Sequence, residues 1–182
     1  TSVYLVDRTV PMLPERLCNN VCSLRPDEDK LTYSVIFVMD EEANVRDWHL
    51  AKTVTRSNRR FIYEEVQQVL EAHGEASPED YQNPGDHMAP EKPDYEPAEH
   101  FAQELITLNR MAKKLRERRF QQGAVDFDRQ ETRFEIDGQG KPLSVYFKVA
   151  KDANKLVEEF MLLANRTVAE SIGKAGKKAN GK

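Results

Sequence analysis

The chain has 182 residues, 39 % of them hydrophobic and 32 % charged, with a formal net charge of −4. That is enough for one soluble domain with its own core, and no apolar run approaches the length of a bilayer span. The negative total argues against a generic basic nucleic-acid module. The two cysteines, Cys18 and Cys22, lack further Cys or nearby His and make a poor zinc site.

In chain order, Val3 and Leu5 alternate with polar neighbours and read as extended. Pro11 and Pro14 bracket Met12 and Leu13; each proline fixes its own φ and biases the residue before it toward extended backbone. Pro-Met-Leu-Pro is therefore a stiff connector, followed by a short amphipathic piece ending in Cys22-Ser23-Leu24. Cys18 and Cys22 read as small buried or half-buried residues in a reducing cytoplasm. Residues 31–39 (LTYSVIFVM) are β-branched and aromatic and read as a buried strand. A polar turn at 40–44 and a second strand over 45–54 predict an antiparallel hairpin anchored by Trp48.

Residues 61–72 predict a short helix with Phe61, Ile62, Val66, Val69 and Leu70 on its apolar face. Ser57 or Asn58 would cap it and Gly74 would end it. Residues 74–97 hold Pro78, Pro84, Pro90, Pro93 and Pro97, and no Val, Ile, Leu, Phe or Trp. Such a stretch cannot bury enough apolar surface to offset its ordering entropy, so it reads as an acidic surface insertion. Helical spacing returns over 99–122, where Phe101, Leu105, Leu108, Ala112 and Leu115 recur, with Gly123 as the residue after the helix. Alternation over 131–136 and 143–149 around Asp137-Gly138-Gln139-Gly140 predicts a second hairpin. Residues 152–172 form the longest helix, apolar on more than one side and so expected to be central and buried. Residues 173–182 read as a flexible basic end. The fold class is α+β, with antiparallel hairpins packed on the long helix.

Charge is uneven. Between 64 and 99 the only Lys or Arg is Lys92, whereas 110–119 carries Arg110, Lys113, Lys114, Arg116, Arg118 and Arg119 against Glu117 alone. The local field, not the sum, decides where a phosphate backbone can lie; the simplest reading of this basic helix is a solvated face. In the long helix, Glu159 has Lys155 one turn before it and Arg166 two turns after, the setting of an ordinary ion pair on a polar edge. Glu158 has Lys155 three positions before it and no other basic residue three or four positions away. A carboxylate there either finds donors elsewhere in the fold or faces a site.

As a string, residues 4–26 (YLVDRTVPMLPERLCNNVCSLRP) closely resemble the catalytic RNB domain of the ribonuclease II and ribonuclease R family, and bacterial ribonuclease R most. The long-helix segment LVEEFMLLAN matches that family's (L/I)-(V/I)-E-E-x-M-x-x-A-N pattern. The resemblance implies a hydrolytic 3′-to-5′ exoribonuclease that degrades single-stranded RNA to nucleoside 5′-monophosphates. It implies that Tyr4 stacks on the 3′-terminal base, and that Glu158 contacts the ribose of the terminal nucleotides. Phe127, in Ala124-Val125-Asp126-Phe127, would clamp the bases from the other side. Tyr63, in Phe61-Ile62-Tyr63, would lie near the catalytic centre. Stacking tolerates any base, as a nonspecific nuclease requires.

The chain also departs from the family pattern. The Asp-x-x-x-x-x-Asp-x-Asp-Asp-Ala element that binds Mg²⁺ has no equivalent here, nor has the late Thr-Ser-Pro-Ile-Arg-Arg segment. The insertion at 74–97 is longer than the family's usual connection. A chain starting at Thr1 reads as an excised central piece of the domain. The expectation is that the whole enzyme uses Mg²⁺ and that this piece binds no metal and lacks nuclease activity by itself. Its partners would be single-stranded RNA, other segments of the same catalytic domain and flanking OB-type domains, in the cytoplasm and away from membranes. The other reading is a noncatalytic RNA- or protein-binding module derived from that domain; a third is an unrelated protein-interaction domain with an acidic arm.

Overall fold

The computed structural model describes residues 2–5, 8–76, 97–125, 131–138 and 141–179. Most of the expected insertion (77–96) and Phe127 lie outside this set.

Two short strands open the chain, β1 (Val3–Tyr4) and β2 (Thr9–Val10), paired antiparallel with Tyr4 opposite Thr9. The proline connector follows, and Pro14 O then accepts from the Leu17 and Cys18 amides. Residues Leu17–Val21 make one π-helical turn, closed by the Cys22 amide on Leu17 O at 2.9 Å. Cys18 is half-buried, but Cys22 is exposed, against the expectation for it.

Strands β3 (Asp29–Met39) and β4 (Val45–Arg56) form the predicted hairpin, with Phe37 opposite Trp48 and Leu31 opposite Val54. Thr32, Ser34 and Thr53 link hydroxyls across it at 2.6 and 2.7 Å, a cross-strand pairing that favours this register. The strand expected to be buried is not buried in this chain. Leu31 is 90 % exposed, and Tyr33, Ile36, Val38, Val54 and Trp48 are exposed too. Trp48 therefore anchors no covered sheet. Burial needs a second layer, and among the described residues no helix packs extensively on these strands.

The core lies among three helices instead. They are α1 (Tyr63–Ala72), α2 (Ala102–Gln121), entered through a 3₁₀ turn at Ala98–Phe101, and α3 (Asp152–Ala179). Val66, Val69, Leu70, Leu105, Ile106 and Ala153 are buried together, and Phe61 meets Phe101 edge-on at 5.4 Å. Two buried polar side chains of the core find partners. Gln67 Oε1 accepts from the Ala153 amide in the first turn of α3, and Asn109 Nδ2 donates to Glu75 O. Gly74 (φ +69°) and Gly123 (φ +93°) stand where α1 and α2 end, at left-handed backbone that suits glycine. Neither Ser57 nor Asn58 caps α1. The residue before the helix is Ile62, whose amide donates to Glu65 Oε2 at 3.4 Å.

Helix α3 runs past residue 172 into the stretch expected to be a loose end. It buries one side only: Ala153, Leu156 and Glu159 are covered, while Val157, Met161, Leu162 and Ile172 are exposed. Strands β5 (Glu131–Ile136) and β6 (Pro142–Lys148) complete the predicted second hairpin.

The basic helix is not a solvated face. Arg118 donates to Asn44 Oδ1, Glu42 O and Ala43 O at 2.9, 2.9 and 2.7 Å, and Lys114 reaches Glu41 O and the Glu42 carboxylate. These bonds tie the β3–β4 turn to α2, at a point where Ala43 is buried with φ +55°. Arg118→Ala is expected to cost about 1–2 kcal/mol and to speed amide exchange at residues 40–44. Unchanged exchange there would show that the turn holds without the arginine.

Glu75, beyond the end of α1, accepts from Arg110 Nε at 3.0 Å and Nη2 at 2.5 Å. The Arg110 hydrogen bonds hold the Glu75 carboxyl below the usual carboxylate range. A folded-state value below the unfolded one stabilises the protein above the ordinary carboxylate range. That contribution is lost as pH falls through the lowered value. Glu75→Gln is thus expected to melt lower at neutral pH and to converge with the unsubstituted chain in acid. A melting difference independent of pH would contradict this.

Candidate functional site

Tyr63 is the first residue of α1 and is partly exposed. Its position is set by Glu65, which accepts from the Ile62 amide and, at 3.2 Å, from Arg59 Nη2. Arg59 lies under Phe61, with its guanidinium carbon 4.4 Å from the ring centre. Among the described residues the buried Nε and Nη1 of Arg59 have no hydrogen-bond partner. Tyr63 stands at an open apolar cleft of about 420 Å³ between the three helices, lined with Val66, Leu105, Leu108, Leu156 and Val157 among others. A cleft of that size and character can hold the flat face of an organic ring.

Glu158 follows Val157 on α3 and is not among the residues that line this cleft. Glu158 does find basic partners, and they come from α2. Its Oε1 lies 3.2 Å from Arg119 Nη2 and 3.9 Å from Arg116 Nη1. The side chain stays 50 % exposed. Among the described residues its Oε2 has no hydrogen-bond partner.

The buried carboxylate of the pair is Glu159, 3 % exposed. Sequence reasoning put it on a polar edge with Lys155 and Arg166, but Arg166 pairs with Glu170 and the partners of Glu159 are again on α2. Arg119 grips it from the side, Nη2 to Oε1 at 2.5 Å and Nε to Oε2 at 3.3 Å, and Arg116 Nη1 adds a contact at 3.5 Å. Both guanidiniums also flank the Phe120 ring, at 4.9 and 5.1 Å. Arg116 and Arg119 were missed as site residues. The signal available for them was their three-residue spacing, which puts both on one helix face opposite a Glu-Glu pair.

The other two expected site residues are placed less fully. Tyr4 has its backbone in β1, and its side chain lies outside the described residues, as does all of Phe127. Among the described residues no three His, Cys, Asp or Glu side chains converge as a metal shell. The arrangement can stack a ring and accept hydrogen bonds from hydroxyls.

The RNB domain model matches residues 1–179. The chain belongs to the RNB domain family. Among curated relatives, this RNB chain is 38 % identical over 178 residues to DIS3-like exonuclease 2 of Schizosaccharomyces pombe, covering 96 % of the chain and 18 % of the relative. It is 36 % identical over 177 residues to ribonuclease R of Thermotoga maritima, covering 97 % and 22 %. Among solved structures, Mycoplasma genitalium RNase R in complex with ribose-methylated single-stranded RNA superposes with a TM-score of 0.76 at 23 % identity. That match covers 96 % of this chain and 24 % of the other, and shows the fold. The RNB chain thus spans roughly a fifth of the length of the curated relatives it matches.

Proposed function

We propose that this chain is the RNA-holding part of a 3′-to-5′ exoribonuclease that hydrolyses single-stranded RNA to nucleoside 5′-monophosphates. The observation that carries the reading is the family match across residues 1–179, together with relatives that are named as exonucleases and ribonucleases. The geometry adds support. Tyr63 at an apolar cleft and Glu158 with one oxygen held and one open suit a base and a sugar hydroxyl. Tyr4 and Phe127 are assigned as the stacking pair on the family pattern.

Two magnesium ions would activate water and neutralise the leaving oxygen. We assign them to residues of the full-length parent outside this span, along with flanking OB-type domains. The free cysteines accord with a reducing compartment such as the cytoplasm, and among the described residues no helix is long and apolar enough to cross a membrane.

The test compares the purified 182-residue chain with the full-length parent on poly(A). The parent should release nucleoside 5′-monophosphates and stop when a chelator is added; the chain alone should release none. Chelator-sensitive multiple turnover by the chain alone would overturn the division of labour. A parent that binds RNA and does not hydrolyse it would instead be the noncatalytic module. Glu158→Ala in the parent should lower turnover by about tenfold or more, the scale of a lost charge-assisted hydrogen bond.

A further inference from the structure

We propose that Arg119 is a positioning residue for Glu158, and that buried Glu159 is the anchor that makes Arg119 rigid enough to act as one. The proposal rests on the reading of Glu158 as the carboxylate that contacts ribose.

Glu158 and Glu159 are adjacent on one helix, so their side chains leave it about 100° apart, and two neighbouring carboxylates repel. A single guanidinium reconciles them. Arg119 Nη2 lies 2.5 Å from Glu159 Oε1 and 3.2 Å from Glu158 Oε1. On the Glu159 side the grip is two-pronged, because Nε also reaches Oε2 at 3.3 Å. Glu159 is buried, and Phe120 lies 5.1 Å from the guanidinium carbon. The Arg119 plane is therefore fixed from two directions before it meets Glu158.

The contact with Glu158 differs in kind. Half-exposed ion pairs contribute little to stability, so its main consequence is direction. With Oε1 held, the carboxylate cannot turn freely and Oε2 is presented in one orientation. A carboxylate so fixed can accept from a sugar hydroxyl without first losing rotamer freedom. Arg116 Nη1, at 3.9 Å from Glu158 and 3.5 Å from Glu159, is too distant to replace this fork. Lysine could not do it either, since an ammonium is a point charge without the planar pair of donors.

The experiment uses the full-length parent. It measures kcat/KM on an all-ribose oligonucleotide and on the same oligonucleotide with 2′-deoxyriboses at the 3′ end. The readout is the ratio of the two. Arg119→Lys should lower the ratio by about tenfold, the scale of one charge-assisted hydrogen bond. Glu159→Gln, which keeps the side-chain volume and removes the anchor charge, should lower it in the same direction and provides the answer if Arg119→Lys does not fold. Adding Arg119→Lys to Glu158→Ala should lower the ratio no further, because Arg119 acts through Glu158.

A purely structural role would lower the melting temperature and leave the ratio alone. If Glu158→Ala collapses the ratio while Arg119→Lys and Glu159→Gln keep it, the positioning role is wrong and the sugar reading survives. If Glu158→Ala itself leaves the ratio unchanged, the sugar reading fails and takes the proposal with it.

Discussion

Leu70→Ala is expected to lower the unfolding free energy of the chain by about 3–4 kcal/mol. Leu70 is fully buried, at 0 % exposure, and sits within the cluster that joins α1 to Leu105 and Ile106 of α2 and to Ala153 of α3. Alanine would remove the branched end of the side chain from a site enclosed by three helices, so collapse around the gap is limited. The penalty then includes both the lost transfer energy and the residual cavity. Domains of this size have only about 5–15 kcal/mol in hand, so the loss is a large fraction of the total. Urea unfolding should show a lower midpoint with an unchanged slope. A change below about 1 kcal/mol would mean that the helices are not held together around Leu70.

Arg119→Ala is expected to cost about 3 kcal/mol, more than Glu159→Ala. The asymmetry follows from where the two charges stand. Without Arg119, the Glu159 carboxylate stays buried and, among the described residues, keeps only the 3.5 Å contact to Arg116. Without Glu159, Arg116 and Arg119 keep Glu158 and partial access to water, being 21 % and 29 % exposed. Replacing both partners, as in Arg119→Leu with Glu159→Leu, should be milder than removing the arginine alone, because no charge is left buried. Urea titration of Arg119→Leu, Glu159→Leu and the variant carrying both gives the coupling directly. Additive losses would show that the pair is not a unit.

The parts of the fold that could be read from the sequence are those set by neighbours along the chain. The first hairpin announced itself by a β-branched and aromatic run before a polar turn, the second by alternation on either side of one, and Gly74 and Gly123 marked helix ends through a backbone shape few other residues adopt. Burial is set by what lies across space, and there the reading went astray. The run LTYSVIFVM has the composition of a covered strand, yet Leu31 and Tyr33 are open to solvent. Helix α3 looked apolar on more than one side and is covered on one.

The candidate site divides the same way. Tyr63 was legible as a residue beside a helix start, whereas the choice between Glu158 and Glu159 as the buried carboxylate depended on where α2 places Arg116 and Arg119. Periodicity along α3 carries no information about another helix. The basic run on α2 looked like surface for the same reason: its partners are the β3–β4 turn, Glu75 and the α3 carboxylates, all distant in sequence.

That helix also bears on how the proposed RNA binding should respond to salt. Affinity for a polyanion falls with ionic strength in proportion to the phosphates a protein neutralises, because each displaced counterion returns to the bulk. A cation already matched by a carboxylate of its own chain displaces few. Arg110, Lys114, Arg116 and Arg119 are matched in this way. The most basic segment of the sequence is thus expected to contribute little to the steepness of a salt titration, and a shallow slope for this span would agree with RNA held by rings and hydroxyls more than by its phosphates.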